Sequence, residues 1–227
     1  MEPVPVTDRT RVTRLADRQV VDRQVLHDVL DAGLVAHVAV VRDGVPIVLP
    51  VGYARDGESV LLHGSTGGGL LRAAASGVPV AVTVTLLDGL VYARSLFDSS
   101  MNYRSVMVLG TAVAVPDALK EEALRRLSEH LMPGRWDEVR PPTRRELAAT
   151  VVLRVPLDEV SVKVRATGAS TEPDDGEDRA VWAGVVPLTL ATLEPVASAD
   201  APRGVPVPAS VAAAASRFEA LRPELHA

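Results

Sequence analysis

The feature that most constrains the fold is a series of short valine-rich runs separated by Asp-Gly turn signals. Three such runs follow one another, and the pairs Asp43-Gly44 and Asp56-Gly57 separate them: LVAHVAVV (34–41), VPIVLPVGY (45–53) and SVLLH (59–63). Asp-Gly between two apolar runs is a strong hairpin signal, and β-branched side chains suit the pleated surface of a strand. This stretch therefore predicts a meander of three antiparallel strands.

Apolar runs of the same kind continue through the rest of the chain. Further strands are predicted at 78–87, 90–95, 103–115, 150–157 and 159–165. A third pair, Asp88-Gly89, predicts a turn between the first two of these strands. Gly110 predicts a bulge or bend inside the long third one, and the polar residues before it, 96–102, are expected to form a loop.

Helical periodicity occurs between the strands. Helices are predicted over 21–30 with Gly33 as the C-terminal cap, over 70–76, and over 117–132 with Asp117 as the N-cap. Short antiparallel strands with interspersed helices are typical of a mainly β barrel or sandwich with helices packed at its ends. We predict one domain over residues 1–190, followed by a Pro/Ala-rich tail over 191–227 that contains a terminal helix.

Charge and composition exclude several classes of function. The formal net charge is −5 with acidic and basic residues interspersed, whereas nucleic-acid binding needs a concentrated basic face. The chain has no cysteine, which excludes disulfides, thiolate metal sites and a cysteine nucleophile. No apolar run reaches the roughly 20 residues of a membrane helix, and the N-terminus does not have a signal-peptide pattern. We therefore expect a cytoplasmic protein that binds neither nucleic acid nor membrane.

The glycine-rich segment HGSTGGG (63–69) is the most informative candidate site. Consecutive glycines let backbone amides approach an anion, and the N-terminus of the helix that follows favours negative charge. The segment is not a P-loop, because leucines stand where Lys and Ser/Thr are required, and its glycines do not have the dinucleotide-binding spacing. An anion-binding turn and a flexible connection without a ligand are about equally supported by these residues.

Two pairs of polar residues on predicted strands are further candidates. Arg104 and Ser105 begin the long strand after a polar segment, and an arginine beside a hydroxyl can hold a phosphate by charge-assisted hydrogen bonds. Lys163 and Arg165 alternate with valines, so both side chains point to the same side of their strand. For each pair the alternative interpretation is a solvated strand edge or the outer face of a barrel.

Single histidines and tryptophans complete the set of candidates. His63 ends a predicted strand beside the glycine-rich segment, where it would reach a bound ring or substrate, and a structural or solvated histidine is the alternative. His37 lies inside an apolar strand and is predicted to be a satisfied wall residue. Trp136 and Trp182 are the only tryptophans; packing is the more frequent role, although such faces also stack on planar ligands.

Motifs of several other chemistries are missing. Gly-x-Ser-x-Gly and His-Glu-x-x-His do not occur, so neither a serine hydrolase nor a zinc site is predicted. The acidic segment TEPDDGEDR (171–179) does not match a calcium-binding loop, and a solvated loop is the better interpretation. No metal site is expected.

The order of these segments resembles that of a known family. The run VLLHGSTGGGLLRAAASGVPVAVTV (60–84) resembles the flavin-binding core of the pyridoxamine 5′-phosphate oxidase-like split barrels. Four further segments are similar to the nitroimidazole-resistance (Nim-type) branch of that family: NYRSVMVLGTA (102–112), PGRWDEVRPPTRREL (133–147), SVKVRATG (161–168) and VWAGVVPL (181–188). The resemblance covers the chain from about residue 12 to 190.

The resemblance implies an antiparallel, Greek-key-like split β-barrel that forms a homodimer with two FMN molecules between the subunits. The residues that it implies for cofactor binding are Val48, Leu49, Pro50, Val51, Gly52, His63, Gly64, Ser65, Thr66, Arg72, Arg104, Ser105, Lys163, Arg165 and Trp182. Among them, Lys163 and Arg165 would bind phosphate, and His63 would donate a proton on the substrate side. Relatives often have a cation within 69–72, where this chain offers only Arg72. The Arg/His substrate motif of true pyridoxamine phosphate oxidases is absent, which argues against that substrate.

The leading hypothesis is a flavin-dependent oxidoreductase that acts on an unidentified small molecule. Hydride would pass through N5 of FMN, and the protein would orient the reactants and exclude water. The alternative is a binding, storage or sensing protein of the same fold that uses FMN, haem or a deazaflavin without turnover. Haem would need an axial ligand, for which His63 and His37 are the candidates.

Overall fold

The computed structural model describes residues 1–170, 180–202 and 204–220, so the predicted acidic loop at 171–179 lies outside the described residues. The described chain is mainly β, as predicted. Its strands are β1 (Gln19–Val20), β2 (Val35–Arg42), β3 (Val45–Arg55), β4 (Ser59–Ser65), β5 (Pro79–Tyr92), β6 (Ser100–Thr111), β7 (Val113–Ala114), β8 (Thr150–Pro156), β9 (Glu159–Arg165) and β10 (Gly184–Pro187). Its helices are α1 (Arg23–Ala32), α2 (Gly69–Ala75), α3 (Asp117–Leu131), α4 (Arg135–Glu138), α5 (Arg144–Ala149) and α6 (Ala209–Ala220). None of the described helices has the length and apolar character needed to cross a bilayer.

The strands form one antiparallel sheet that curls into a half-barrel. The strand order is β1-β9-β6-β5-β2-β3-β4-β8-β7, and β10 is added beside β5. The curl occurs at β3, which pairs with β2 along its length and with β4 through Tyr53, Ala54 and Arg55. The inner face of the sheet encloses the main apolar core, which is built largely from valines of β2, β5, β6, β8 and β9.

The predicted three-strand meander is confirmed. Asp43 and Gly44 join β2 to β3 with φ of 52° and 76°, and a two-residue hairpin turn of this type requires positive φ at both positions. Gly57 has φ of 57° and turns the chain from β3 into β4. Two of the three Asp-Gly pairs therefore act as the sequence predicts.

The predicted turn at Asp88-Gly89 is wrong. The chain passes straight through this pair in the single long strand β5, and β6 pairs with residues on both sides of it. The register shifts between Leu87 and Gly89, so Asp88 is the extra residue of a β-bulge. The outer part of β5 is held in place by pairing with β10 on its other edge. Because β5 is paired on both edges here, it stays extended where the local sequence favours a turn.

The bend predicted at Gly110 lies slightly further along the chain. β6 begins at Ser100, inside the segment predicted as a loop, and Gly110 remains paired with Val80. The chain leaves the β5 ladder after Thr111, and Val113 and Ala114 pair with β8 on the other half of the sheet. The bend therefore falls at Ala112, which is buried in the core.

Helix α1 shows why glycine is needed at its end. Gly33 is the C-terminal cap, as predicted, but its φ of −74° is accessible to any residue. A Cβ at this position would lie 2.5 Å from Cγ1 of Val84 and 2.7 Å from Oη of Tyr53. The glycine therefore permits a close approach of the helix end to the barrel wall.

Helix α3 covers one side of the barrel from outside. Its residues Ala123 and Leu127 form a second apolar cluster with Ala54, Leu61 and Val152 of the sheet. The helix begins at residue 117 as predicted, but the predicted cap is wrong, because Pro116 is the N-cap and Asp117 is the first helical residue, paired with Lys120 at 2.7 Å.

The tail returns to the body of the protein at α6. The Ser210 hydroxyl donates to Oε2 of Glu138 in α4 at 2.5 Å, and the Ser210 amide donates to Oε1 at 2.9 Å. These bonds lower the pKa of Glu138. Between β10 and α6 the described chain forms no regular element and exposes Leu190, Leu193 and Val196.

Candidate functional site

The strand register sets one residue from each of five neighbouring strands in a row across the outside of the barrel. The pairs Gly52 and Val35, Thr85 and Ser105, and Ser105 and Lys163 lie opposite one another. The pairing of β2 with β5 ends at His37 and Thr83, and Val35 and Thr85 are the next residues beyond that end on the same side of their strands. Paired residues share one face of a sheet. We call the outward surface of β2, β3, β5, β6 and β9 along this row the open face.

Apart from the end of α3, which reaches Gly52, no described helix covers the open face, although it is largely apolar. Val35, Val41 and Val48 are 49%, 61% and 54% exposed there. Single exposed apolar residues are ordinary, but a contiguous exposed patch marks a surface that binds another molecule. The open face is therefore the first candidate for a binding surface.

His63 on β4 extends the row by one strand. Its Cε1 lies 3.8 Å from the position that a Cβ on Gly52 would occupy, and Cδ1 of Leu131 in α3 lies 3.3 Å from the same point. Nδ1 of His63 is buried and has no hydrogen-bond partner among the described residues. Burial also lowers the pKa of His63. The imidazole is therefore neutral at neutral pH and has an unused ring nitrogen.

The predicted cofactor-binding segment of β3, residues 48–52, contributes only alternate residues to the open face. Val48, Pro50 and Gly52 pair with outward residues of β2. Leu49 and Val51 point the other way, and Val51 packs against the core. The prediction that His37 is a satisfied wall residue is wrong, because His37 pairs with Pro50 on the open face and is exposed.

The glycine-rich bend after β4 uses most of its donors internally. The amide of Thr66 donates to the carbonyl of Ala149 at 3.0 Å, and the Gly68 amide donates to the carbonyl of Ser65 at 2.9 Å. The Gly67 amide donates to the Ser65 hydroxyl at 3.2 Å. An anion at this bend would therefore depend on side chains.

Two cations lie near the glycine-rich bend. Nη1 of Arg42 is 3.1 Å from the position of a Cβ on Gly69, and Arg72 is exposed on α2. Arg42 was not predicted as a site residue, since only the hairpin geometry brings it to the bend.

Arg104 and Ser105 lie on opposite faces of β6. Arg104 forms a two-pronged ion pair with Asp88 of the bulge, with Nε to Oδ2 at 2.9 Å and Nη2 to Oδ1 at 2.7 Å. This pairing raises the pKa of Arg104. The two neighbours in sequence therefore cannot hold one phosphate together, and strand alternation was the signal that could have separated them.

Arg165 on β9 is a buried cation without a carboxylate partner among the described residues. It is only 7% exposed, and Nη1 donates to Oδ1 of Asn102 at 2.5 Å. Nε is buried and has no partner in the part of the chain that the structure describes. Burial and the nearby charge of Arg18 lower the pKa of Arg165. Arg18, which the sequence analysis did not identify, and Lys163 complete a cationic group.

Trp182 marks the far end of the open face near β10. Its ring centroid is 5.9 Å from that of Tyr92 at an interplanar angle of 56°. The Trp182 side chain is 62% exposed. A Cβ on Gly184 would lie 2.8 Å from Cζ2 of Trp182. The indole therefore lies over the β10 backbone with much of its surface free for a contact.

One chain does not bring the predicted site residues together. From His63 to Lys163 the row crosses five strand spacings, which is about 24 Å along the open face. Gly52 and His63 form one group, and Ser105, Lys163 and Arg165 form another at the opposite end. A ligand that contacts both groups of a single chain would have to follow this whole path.

The fold defines the class of protein, an antiparallel split β-barrel, and its open face is an apolar, largely uncovered outer surface. The family model described as pyridoxamine 5′-phosphate oxidase matches residues 22–164. The chain belongs to this family, which confirms the resemblance predicted from the sequence.

Solved structures extend the comparison beyond the family match. The FAD- and haem-binding protein from Mycobacterium smegmatis is 42% identical, with 86% of this chain and 96% of that chain covered and a TM-score of 0.83. The flavocytochrome Anf3 from Azotobacter vinelandii is 36% identical, with 93% and 98% covered and a TM-score of 0.86.

The Nim-type branch shares the fold at lower similarity. A proposed 5-nitroimidazole antibiotic resistance protein from Bacteroides thetaiotaomicron is 20% identical, with 64% and 86% covered and a TM-score of 0.55. No relative was found among curated proteins.

Proposed function

We propose that this chain is a homodimeric flavoprotein oxidoreductase that binds its flavin on the open face and acts on a small molecule. Membership of the pyridoxamine 5′-phosphate oxidase family supports the proposal. So do the flavin-binding proteins at 42% and 36% identity, which cover most of the chain. A cytoplasmic location is part of the proposal.

The observation that carries the proposal is the buried charge of Arg165, which no carboxylate among the described residues compensates. A buried cation without a counter-charge is costly, because desolvation is not offset by an ionic partner. A flavin phosphate would supply that charge and accept hydrogen bonds from the guanidinium. Lys163 and Arg18 add positive charge beside it, and the orphaned Nε of Arg165 fits such an acceptor.

The distance between the two groups of the open face argues for a site built by two chains. The path of about 24 Å from His63 to Lys163 exceeds the length of an FMN molecule. A site that uses both groups would combine His63 of one protomer with Arg165 of its partner. Burial of the exposed valines between two open faces would also remove apolar surface from water.

The groups near Gly52 fit the ring of a flavin. A bound flavin would supply hydride transfer through N5 of its ring. Leu131 and His63 approach closely over Gly52, so a flat ring would lie beside them along Val48 and Pro50, which would exclude water from it. The neutral imidazole of His63 would hold or accept a proton at Nδ1, which has no partner in the described chain.

FMN is the cofactor implied by the sequence resemblance, and FAD is the flavin of the Mycobacterium smegmatis protein. The two share the ring and the first phosphate, so Arg165 serves both. Release of the flavin by heat, followed by chromatography against FMN and FAD standards, identifies it.

The proposal is tested on the purified protein. We expect the absorption spectrum of an oxidised flavin, with one flavin per chain, and a dimer in analytical ultracentrifugation. Arg165→Met should weaken flavin binding roughly 10- to 100-fold, because a charge-assisted hydrogen bond is lost. The exposed arginine of α5 provides the control, and Arg144→Met should bind flavin like the wild type. A colourless protein that also fails to bind added FMN and FAD would contradict the proposal.

Turnover separates an oxidoreductase from a storage or sensing protein of the same fold. Photoreduced protein should be reoxidised by small-molecule electron acceptors in repeated cycles. His63→Gln should lower the rate more than it lowers flavin affinity, because the imidazole would act on a proton rather than on the phosphate. Reoxidation by oxygen alone, with no acceptor used, would favour the binding protein.

Haem binding by His63 is a second candidate function. The specific observation is the neutral, buried imidazole with an unpartnered nitrogen, since a neutral imidazole is a common iron ligand. Both of the more similar structures belong to proteins described with haem or as a cytochrome. Protein produced with haem available should show a Soret band. His63→Ala should abolish this band, and His37→Ala should leave it unchanged. Loss of the band in His37→Ala alone would assign the ligand to His37.

A further inference from the structure

A cleft of 490 Å³ lies beside the open face, between the end of α1, the bulge of β5 and the chain that follows β10. We call it the bulge cleft. Its apolar walls are formed by Leu34, Val35, Leu86, Leu87, Leu188 and Leu190. Apolar pockets of roughly 300–1,000 Å³ with a few polar groups are typical of small-molecule sites. The bulge cleft has this size and character.

The bulge determines which polar groups the cleft contains. The register shift between Leu87 and Gly89 turns Asp88 toward Arg104, and both residues line the cleft. The carbonyl of Asp88 accepts a hydrogen bond from the Leu188 amide at 3.0 Å, which holds the outer wall against the bulge. Bulges commonly re-aim side chains beside functional sites.

Arg104 has one unused side. Its Nε and Nη2 are both bonded to the Asp88 carboxylate. Because a guanidinium is planar, Nη1 lies on the side away from that carboxylate, and it makes no hydrogen bond to the residues that the structure describes. The cleft thus contains a hydrogen-bond donor whose positive charge is already balanced by Asp88.

We propose that the bulge cleft binds a flat, uncharged organic molecule that carries a carbonyl or similar acceptor. The leucine and valine walls take the flat apolar body, and Nη1 of Arg104 donates to the acceptor. An anionic molecule is disfavoured, because Asp88 cancels the attraction of Arg104. A molecule without an acceptor leaves the donor unpaired.

The position of the bulge cleft links it to the proposed flavin surface. Val35, His37 and Thr85 line the cleft and lie on the open face. Binding in the cleft does not require the flavin, whereas a role for the molecule as redox substrate rests on the proposed function. The two can therefore fail separately.

Three matched probes test the proposal by titration of the whole protein: 2-acetylnaphthalene, 2-naphthoate and 2-ethylnaphthalene. The acetyl compound should bind at least about 10-fold more tightly than the other two, as expected for one hydrogen bond to a charged donor. Arg104→Met should remove most of this advantage and leave the affinity for 2-ethylnaphthalene unchanged. Equal binding of all three compounds, or a preference for the carboxylate, would overturn the proposal.

A second variant guards against misfolding of the Arg104 substitution. Leu190 lines the cleft and is 62% exposed, so Leu190→Trp should fold and should fill the cleft. Leu193 is 90% exposed and is not part of the cleft lining, so Leu193→Trp is the control. The first should reduce binding of 2-acetylnaphthalene about 10-fold or more, and the second should not. Equal effects of the two variants would contradict the site.

Flavin absorbance is recorded for every sample. Binding of 2-acetylnaphthalene with the predicted pattern to colourless protein supports the bulge cleft while the proposed flavin function fails. Yellow protein that does not distinguish the probes refutes the bulge cleft alone.

Discussion

Two parts of the outer surface of the barrel are built from similar strands, but one is buried under α3 and the other is exposed. On the β4–β8 side, Leu61, Val152 and Ala54 are at most 1% exposed because α3 packs on them. On the open face, Val35 and Val48 are 49% and 54% exposed. Both faces are apolar, yet a helix of the described chain packs on only one of them. This difference supports the proposal that a second molecule binds the open face.

The largest expected effect lies on the helix-covered face. Leu127 is 2% exposed and belongs to the cluster between α3 and the sheet. Leu127→Ala should lower the free energy of unfolding by about 2–5 kcal/mol, because it removes buried methyl groups and leaves a cavity. Urea denaturation measures this change.

Leu119 of the same helix gives the matched control. It is 57% exposed, so Leu119→Ala should change the free energy of unfolding by less than about 0.5 kcal/mol. Similar losses for the two variants would show that α3 does not cover the face as described.

The second effect concerns association through the open face. Val48→Glu places a charge at the centre of that face, where an unpaired carboxylate buried between protomers would be costly. We expect the proposed dimer to weaken about 100-fold or more in analytical ultracentrifugation, with the unfolding free energy of the monomer changed by less than about 0.5 kcal/mol.

Val207 in the tail, 60% exposed, is the corresponding control. Val207→Glu should leave the association constant at the wild-type value. If Val48→Glu leaves it unchanged as well, the open face is not the dimer contact.

The smallest effect is a pH dependence at the border between the two faces. Burial lowers the pKa of His63 below its ordinary value of 6.5. The unfolded chain therefore takes up a proton that the folded chain refuses, so the stability contributed by neutral His63 is full above 6.5 and falls as the pH drops toward the folded pKa. The midpoint of thermal unfolding should fall less in His63→Gln than in the wild type between about pH 7.5 and about pH 5.5. Parallel curves would show that His63 is solvated.

Local turn chemistry was predictable only where nothing else competed with it. Asp43-Gly44 and Gly57 form the predicted turns, because each lies at the end of its ladder. Asp88-Gly89 is the same dipeptide, but it lies between the paired strands β6 and β10, and the Asp88 carboxylate is bound by Arg104. Ladder pairing on both edges overrides the turn preference, and the sequence does not reveal that pairing.

The sequence indicates the strand position of individual candidate residues, but it does not show which of them lie together in the folded chain. The placement of His63 next to Gly52 follows from the meander. The separation of Arg104 from Ser105 could have been seen from strand alternation. The lack of a carboxylate partner for Arg165 among described residues, and the proximity of Arg18, depend on packing between segments far apart in the chain.

The sequence by itself determined most of the strands and the order of the first hairpins, because alternation, β-branched residues and Asp-Gly pairs act over a few neighbouring positions. Its motifs also resembled those of the family. Only the tertiary structure decided which apolar face receives α3, where Asp88 points, and that Arg165 is buried without a balancing carboxylate in the described chain. The burial of a residue and the balance of its charge depend on residues that are distant in sequence. They are therefore decided only when the curled sheet brings those residues together.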